Sequence, residues 1–451
     1  MREISLQDTR TGERLPLRPR EGNKVGIYAC GPTVYDRIHV GNARPFVVFS
    51  LLKRFLRHEG YDVTHVANIT DVNDKIYAAA AASEPPLPSV ELAATMAAHY
   101  RADTDALGLG RPDHEPLASE TIGDQIELIE ALIERGAAYA AQGDVYFRVR
   151  ADPGYGSLSH RDVDQMDDGD GGEETARKED PLDFALWKAH KPGEDSAWDA
   201  PWGRGRPGWH IECSAMAEAA LGLNFEIHGG GNDLAFPHHE NEAAQTRAGR
   251  GQELAQIWMH NGMLQFGGEK MAKSIGNVAP LHAVIDSAGR DALILLFCSA
   301  HYRGPLSFTD ETVAQAQAGV RRIRELSRSL VQAESPAQLG PLKERFFSAL
   351  ADDYNTPDAL AVVWEWVREA NKADAPVGGA DLAEMLEVLG LENLLAGGED
   401  SAPDDVVALA QARVTARENK DFQESDRLRD EIDARGFVVR DSPDGFELVP
   451  K

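Results

Sequence analysis

Three cysteines in 451 residues cannot build a disulfide framework, so the chain reads as a protein of a reducing compartment, expected in the cytoplasm. No run of 18 or more apolar residues occurs, which excludes a helical membrane span. The start, Met-Arg-Glu-Ile-Ser, lacks the apolar stretch of a secretory leader. Neither a Gly-x-x-x-x-Gly-Lys-Ser/Thr loop nor a Gly-x-Gly-x-x-Gly after a strand is present, so neither standard phosphate fingerprint applies. Positive charge is also short: 46 Lys and Arg face 74 Asp and Glu, a net of −28. That average argues against a nucleic-acid partner. Its distribution argues less, because residues 1–60 hold eleven basic and six acidic groups, while eight acids crowd Asp164–Asp180.

The remaining composition is that of an ordinary globular chain, 42% hydrophobic and 27% charged, too long for one core. Val25–Cys30 reads as a buried strand, residues 41–58 as a helix with Phe46, Phe49, Leu52, Phe55 and Leu56 on one face, and Tyr61–Asn68 as a second strand. This strand–helix–strand unit predicts a parallel sheet. Helices are expected over Leu87–Leu107 and Ser119–Arg135. Short strands and turns over Gln142–Arg150 and Gly154–Arg161 follow, then a mobile acidic loop over Asp164–Asp180. The α/β pattern resumes at Gly208, with strands at Asn224–His228 and Ile257–Gly262 and a helix from Pro237. Beyond Asp291 the chain turns helical, with long amphipathic stretches at Thr309–Leu330 and Leu342–Asn371. A linker at Gly397–Pro403 precedes helices at 405–418 and 421–434 and a hairpin over Phe437–Val449.

Two of the scarce cysteines stand near good metal ligands. Gly208–Cys213 supplies a thiolate, and Phe236–Glu242 supplies His238 and Glu242 four residues apart on one helix face, with His239 as a geometric alternative. Cys30, at the end of the first strand, supplies a second thiolate. Two thiolates, an imidazole and a carboxylate suit zinc better than the hard cations that prefer oxygen. The competing reading is two cysteines packed as small hydrophobes beside a solvated His-His-Glu turn. Cys298, in an apolar run, reads as plain core. His39-Val-Gly-Asn42 opens the first helix, where free N–H groups suit a phosphate. Gly267–Asn277 carries Lys270 and Lys273 in a Gly-flanked loop, the form of a clamp on a triphosphate, or of a solvated surface loop.

Seven segments in order complete the picture: Cys30–Asp36, His39–Asn42, Asn68–Asp71, Gly208–Cys213, His228–Leu234, Phe236–Glu242 and Lys270–Ser274. Together they resemble the cysteinyl-tRNA synthetases, a family of class I aminoacyl-tRNA synthetases, over nearly the whole chain. The resemblance implies a Rossmann-like parallel-sheet catalytic domain over residues 1–300 with an insertion near 136–206. It implies a helical stem-contact and tRNA-binding region over 301–396 and an anticodon-recognition module over 404–451. It implies one zinc per chain on Cys30, Cys213, His238 and Glu242, reading the substrate thiolate, and Mg²⁺ with ATP. It places His39, Gly41, Asn42, Lys270 and Lys273 on ATP, with His39, Asn42 and both lysines catalytic, and Thr70 and Trp209 in the cysteine pocket. The expected partners are ATP, L-cysteine and tRNA(Cys), with no membrane and a monomeric state. Two departures stand out: Asn42 where the family's first signature ends in His, and Ala272 where Ser is commoner. A related reaction, ligation of cysteine to an aminosugar–inositol, needs no anticodon module. Arg413, Arg417 and Lys420, at helical spacing in the last module, favour RNA over that rival, against the plainer reading of a solvated face.

Overall fold

The computed structural model describes residues 2–166, 175–266, 269–270, 279–395, 404–419, 421–442 and 445–450. Strands β1 (Ser5–Gln7) and β2 (Arg14–Pro16) pair as an antiparallel hairpin. Strand β3 (Lys24–Ala29), helix α1 (Val40–His58) and strand β4 (Asp62–Ala67) then form the expected unit, with β3 and β4 parallel. Helix α1 forms because Phe46, Phe49, Leu52, Phe55 and Leu56 recur every three or four residues and all become buried. It stops where Gly60 adopts φ +93°.

Helices α2 (Asp74–Ala81), α3 (Ser89–Asp105) and α4 (Ile122–Glu134) lead into the insertion. There β5 (Ala138–Ala141), β6 (Asp144–Phe147), β7 (Phe184–Ala189) and β8 (Gly205–Pro207) pair antiparallel in sequence order. Leu128 and Leu132 of α4 seal this sheet by packing with Val145, Phe147, Leu186 and Trp187. Of the short strands and turns expected over 154–161 only turns form, because Gly156 (φ +90°) and His160 (φ +56°) both leave the extended region. Most of the acidic segment expected to be mobile lies outside the described residues.

Helix α5 (Trp209–Leu221), strand β9 (Phe225–Gly231), helix α6 (Glu240–Arg250) and strand β10 (Ala255–Asn261) return the chain to the central sheet. Among the described residues that sheet has the order β10-β9-β3-β4, every pair parallel. Strand β11 (Leu264–Phe266) pairs antiparallel with β12 (Glu269–Lys270). Helices α7 (Leu281–Ala288) and α8 (Arg290–Cys298) follow, and strand β13 (Leu306–Phe308) joins β11 in parallel. Cys298 is buried and its thiol is pushed up to about 12 by burial, as a core residue should be.

The helical half comprises α9 (Asp310–Ser327), β14 (Leu330–Val331), α10 (Gly340–Ala351), α11 (Thr356–Ala370), β15 (Val377–Gly378) and α12 (Ala380–Val388). The stretch 342–371 divides in two because Asp353 (φ +60°) and Tyr354 (φ +50°) break it and Asn355 caps the second helix. The end of the chain holds α13 (Asp404–Glu418), α14 (Phe422–Ala434) and the hairpin β16 (Phe437–Ser442) with β17 (Gly445–Pro450). It has its own small core of Val406, Ala410, Ile432 and Val439. The chain divides into two compact units, Met1–Ile323 with Leu330–Glu392 and Arg324–Ser329 with Asn393–Lys451. Among the described residues no helix is long and apolar enough to cross a membrane.

Candidate active site

Strand β3 is flanked by β4 on one side and β9 on the other, so the carboxyl end of β3 is a topological switch point. Loops leaving adjacent strands diverge there and open a crevice. A cavity of ≈ 330 Å³ occupies that position. Cys30, Trp209 and Asp233 line it at one end, and His39, Gly41 and Asn42 at the opening of α1.

Behind Cys30 lies the ligand cluster. Cys213 comes from α5, His238 from the turn before α6, Glu242 from α6 itself and Cys30 from the end of β3. One donor atom from each lies within 4.8 Å of all the others. His238 Nε2 is 3.1 Å from Glu242 Oε1, and Cys30 Sγ is 3.6 Å from the same oxygen. Phe236 is extended (φ −139°, ψ 134°) within the turn that precedes α6, and both His238 and His239 are buried there. A second set, Cys30, His228, His239 and Glu242, meets the same distance limit. The two sets share Cys30 and Glu242 and differ in thiolate count.

His238 and His239 are each oriented by a second contact on the other ring nitrogen, the arrangement that fixes metal-binding histidines, whereas His228 is not. His238 Nδ1 is 2.9 Å from His210 Nδ1, and His239 Nδ1 is 2.7 Å from His260 Nε2. His239 Nε2 reaches Cys30 Sγ at 3.2 Å, and Thr9 Oγ1 reaches His260 Nδ1 at 2.7 Å. Neutral tautomers can run in one direction along this chain: Thr9 donates to His260, His260 to His239 and His239 to the Cys30 sulfur.

Burial sets the charge of the cluster. It pushes the Cys30 thiol and the Glu242 carboxyl well above their ordinary ranges and drives His228, His238 and His239 well below theirs. Burial thus disfavours the charged form of each of these groups. Among the described residues His228 Nδ1 completes no hydrogen bond and Glu242 Oε2 has only the contact with His228 Nε2 at 3.3 Å, a costly state for buried polar atoms. A divalent cation would reverse both effects, displacing protons and engaging lone pairs. The donors present thus fit a metal ion.

The opposite end is built for exposure. His39 caps α1: its Nδ1 accepts from Asn42 N–H at 3.3 Å, and Asn42 Oδ1 accepts from His39 N–H at 3.2 Å. Asn42 therefore has a structural role as the second half of a capping box. Gly41 is required, since a Cβ there would lie 2.9 Å from the His39 ring. Trp209 begins α5, is 37% exposed and stacks on His238 with ring centroids 4.4 Å apart. Thr70 is buried beneath, donating to Glu212 Oε2 at 3.1 Å, and is not among the residues lining the cavity. Lys270 is placed by the backbone of β12, opposite Gln265; Lys273 and Ala272 lie outside the described residues.

His239, the alternative offered by spacing, lies in the site, and His210, His228 and His260 join it without having been singled out as its members by spacing. Their signal was indirect: several histidines fall within or next to apolar strand segments, where an unpaired imidazole is expensive. Arg413, read as part of an RNA-facing stripe, is buried, whereas Arg417 is exposed. The stripe as a single open face does not hold.

A parallel sheet with a ligand cavity at its switch point, followed by a helical half, is the architecture of the class I aminoacyl-tRNA synthetases. The model of the tRNA synthetase class I (C) catalytic domain matches residues 16–318, a DALR domain matches 345–394, and a cysteinyl-tRNA ligase anticodon binding domain matches 399–447. Solved structures agree on the fold. Methionyl-tRNA synthetase of Mycobacterium tuberculosis, in complex with methionyl-adenylate, superposes with a TM-score of 0.61 at 16% identity over 82% of this chain and 88% of that one. A LeuRS of Agrobacterium radiobacter gives 0.60 at 11% identity over 85% and 86%. The cysteine–tRNA ligase of Alkalilimnicola ehrlichii is 44% identical over 98% of both chains, and that of Stutzerimonas stutzeri 43% over 98% of both. The chain belongs to the cysteine–tRNA ligase family.

Proposed function

We propose that this chain activates L-cysteine with ATP to cysteinyl-adenylate and transfers the cysteinyl group to tRNA(Cys). The observation that carries the reading is the buried Cys30–Cys213–His238–Glu242 cluster at the inner end of a cavity whose outer end is the N-terminus of α1. Cysteine and serine differ by sulfur for oxygen, which an apolar pocket separates by only ~1–3 kcal/mol. Zinc held by these four residues would supply a soft acceptor that a thiolate satisfies and a hydroxyl does not. The first ligand set is preferred over the one with His228 and His239 because it has two thiolates. In this reading Trp209 and His238, stacked on each other, shape the pocket around the side chain of the amino acid.

At the other end, the positive start of α1 and His39 receive the triphosphate, accompanied by Mg²⁺. Lys270 and Lys273 stabilise the charge that builds as pyrophosphate leaves. Activation requires no covalent link to the protein, so positioning and electrostatics carry it. Residues 1–300 act as the catalytic domain, 301–396 as the stem-contact and tRNA-binding region, and 404–451 as the anticodon-reading module. The family match over 399–447 favours tRNA over an aminosugar acceptor. A cytoplasmic monomer is the simplest state.

Cysteine-dependent pyrophosphate exchange, measured beside charging of tRNA(Cys) on the same preparation with its metal content determined, tests the proposal. Exchange without charging would favour the aminosugar ligase, and exchange by metal-free protein would remove the role given to zinc.

A further inference from the structure

Arg44, the fifth residue of α1, is only 1% exposed. Burial lowers its guanidinium to about 10, so it keeps its charge at neutral pH. A buried cation ordinarily sits beside a carboxylate. Among the described residues Arg44 has none in ion-pair contact. Instead it faces three backbone carbonyls: Nη1 donates to Gly262 O at 2.6 Å and to Met263 O at 3.3 Å, and Nη2 donates to His301 O at 3.2 Å.

Those carbonyls belong to two segments that cross. A Cβ on Gly262 would lie 2.2 Å from Gly304 O and 2.7 Å from Arg303 O, and Gly262 N–H donates to Tyr302 O at 2.7 Å. The far side of the crossing is fixed by Asp353, which accepts from Tyr302 Oη at 2.8 Å and from Arg303 Nε at 2.9 Å. On the near side Arg44 shares these carbonyls with Asn261 Nδ2, which donates to Gly262 O at 3.2 Å, and with Leu306 N–H, which donates to Met263 O at 3.1 Å, and it is the group that reaches both segments from α1. Its planar fork can serve several acceptors on two strands at once, whereas an ammonium is a point charge. Gly262, Met263 and Leu264 then form the wall of the cavity that also contains His39, Gly41 and Asn42. One helix thus carries the first ATP signature at its start and the cation that fixes the neighbouring wall on its next turn.

We propose that Arg44 is a positioning residue for adenylate formation: it sets the spacing between His39 and Asn42 at the start of α1 and the Gly262–Leu264 wall. The inference rests on reading this cavity as the ATP site. Displacement of such a wall by about 1 Å costs on the order of 10²-fold in rate.

The test is single-turnover adenylate formation by Arg44→Gln and Arg44→Lys, normalised to active sites and measured against ATP and cysteine separately. Arg44→Gln should slow the saturated rate by ~10–100-fold and raise half-saturating ATP several-fold. Metal content and half-saturating cysteine should stay within about twofold, since the wall is not part of the ligand cluster. Arg44→Lys, which keeps the charge but not the fork, should fall between Gln and the wild type. Per-site rates within threefold of wild type in both variants would overturn the proposal. So would parallel loss of ATP and cysteine affinity, or failure of both variants to fold, either of which makes Arg44 a general structural residue. If the unmodified protein shows no cysteine-dependent exchange at all, the functional reading itself fails rather than this inference.

Discussion

The two ends of the cavity solve opposite problems. At the inner end Cys213, His238 and Glu242 are each no more than about 1% exposed, and the donors are closed off together in the core. At the outer end His39 is partly exposed and Asn42 exposed, and the working groups sit at the positive start of a helix. Discrimination between a thiol and a hydroxyl needs fixed soft ligands and no competing water. Holding a triphosphate needs reachable donors and counter-charge that act chiefly as pyrophosphate leaves. The first end should therefore fail by losing its substrate, and the second by losing rate.

The largest expected effect is at the inner end. Cys213→Ser or Glu242→Gln should remove bound zinc and lower cysteine-dependent exchange by roughly three decades, since loss of one ligand opens a site that needs all four. ATP binding, followed by fluorescence titration, should change less than about threefold; comparable loss of both would show the ends are not separable. At the outer end Lys273→Ala should slow adenylate formation by ~10²–10³-fold, with cysteine affinity nearly unchanged. A loss below threefold would make that lysine a surface charge and collapse the contrast.

The floor of the cavity offers a milder probe. His65 on β4 is buried, neither ring nitrogen has a hydrogen-bond partner among the described residues, and burial lowers its pKa to about 3. An unfolded histidine titrates near 6.5. Between pH 6.5 and 3 the unfolded chain therefore takes up a proton that the folded chain refuses. This destabilises the fold as pH falls, by up to ~1.4 kcal/mol per pH unit. Above pH 6.5 both states are neutral and the contribution vanishes. His65→Leu should flatten stability against pH in that window by denaturant titration, and an unchanged slope would mean that the acid sensitivity comes from other groups.

The smallest effect concerns neither end. Exposed Arg417 of α13, changed to Ala, should weaken tRNA(Cys) binding by a few-fold and reduce its salt dependence by about one counterion. Exchange should be untouched; slower exchange would mean that the module reaches into activation.

How much of this was legible depended on periodicity. The β3–α1–β4 unit could be read because its apolar residues recur at strand and helix intervals. Helix α5 could not, since Ile211, Cys213, Ala215, Met216 and Ala217 are all buried and the sequence Trp-His-Ile-Glu-Cys shows no clear polar face. Helix α2, with its run of four alanines, and strand β7, with Phe, Leu, Trp and Lys mixed, gave no period either. Cys30, Cys213, His238 and Glu242 were legible as residue types and were joined in one site by family resemblance, while their spacing alone, in three distant segments, could not join them. Arg44 was invisible because its partners are backbone carbonyls, which leave no mark in the sequence.

The separation of those segments also has a consequence in time. Cys30 and Glu242 meet across 212 positions. A ribosome adding about 5–20 residues per second needs roughly 10–40 s to pass from one to the other. During that interval Cys30 emerges as an unpartnered thiol beside a strand whose second neighbour, β9, has not been made. Assembly of the Cys30–Glu242 cluster is thus a late event in the birth of the chain, whereas α1, with its cap and its arginine, can form within the first sixty residues.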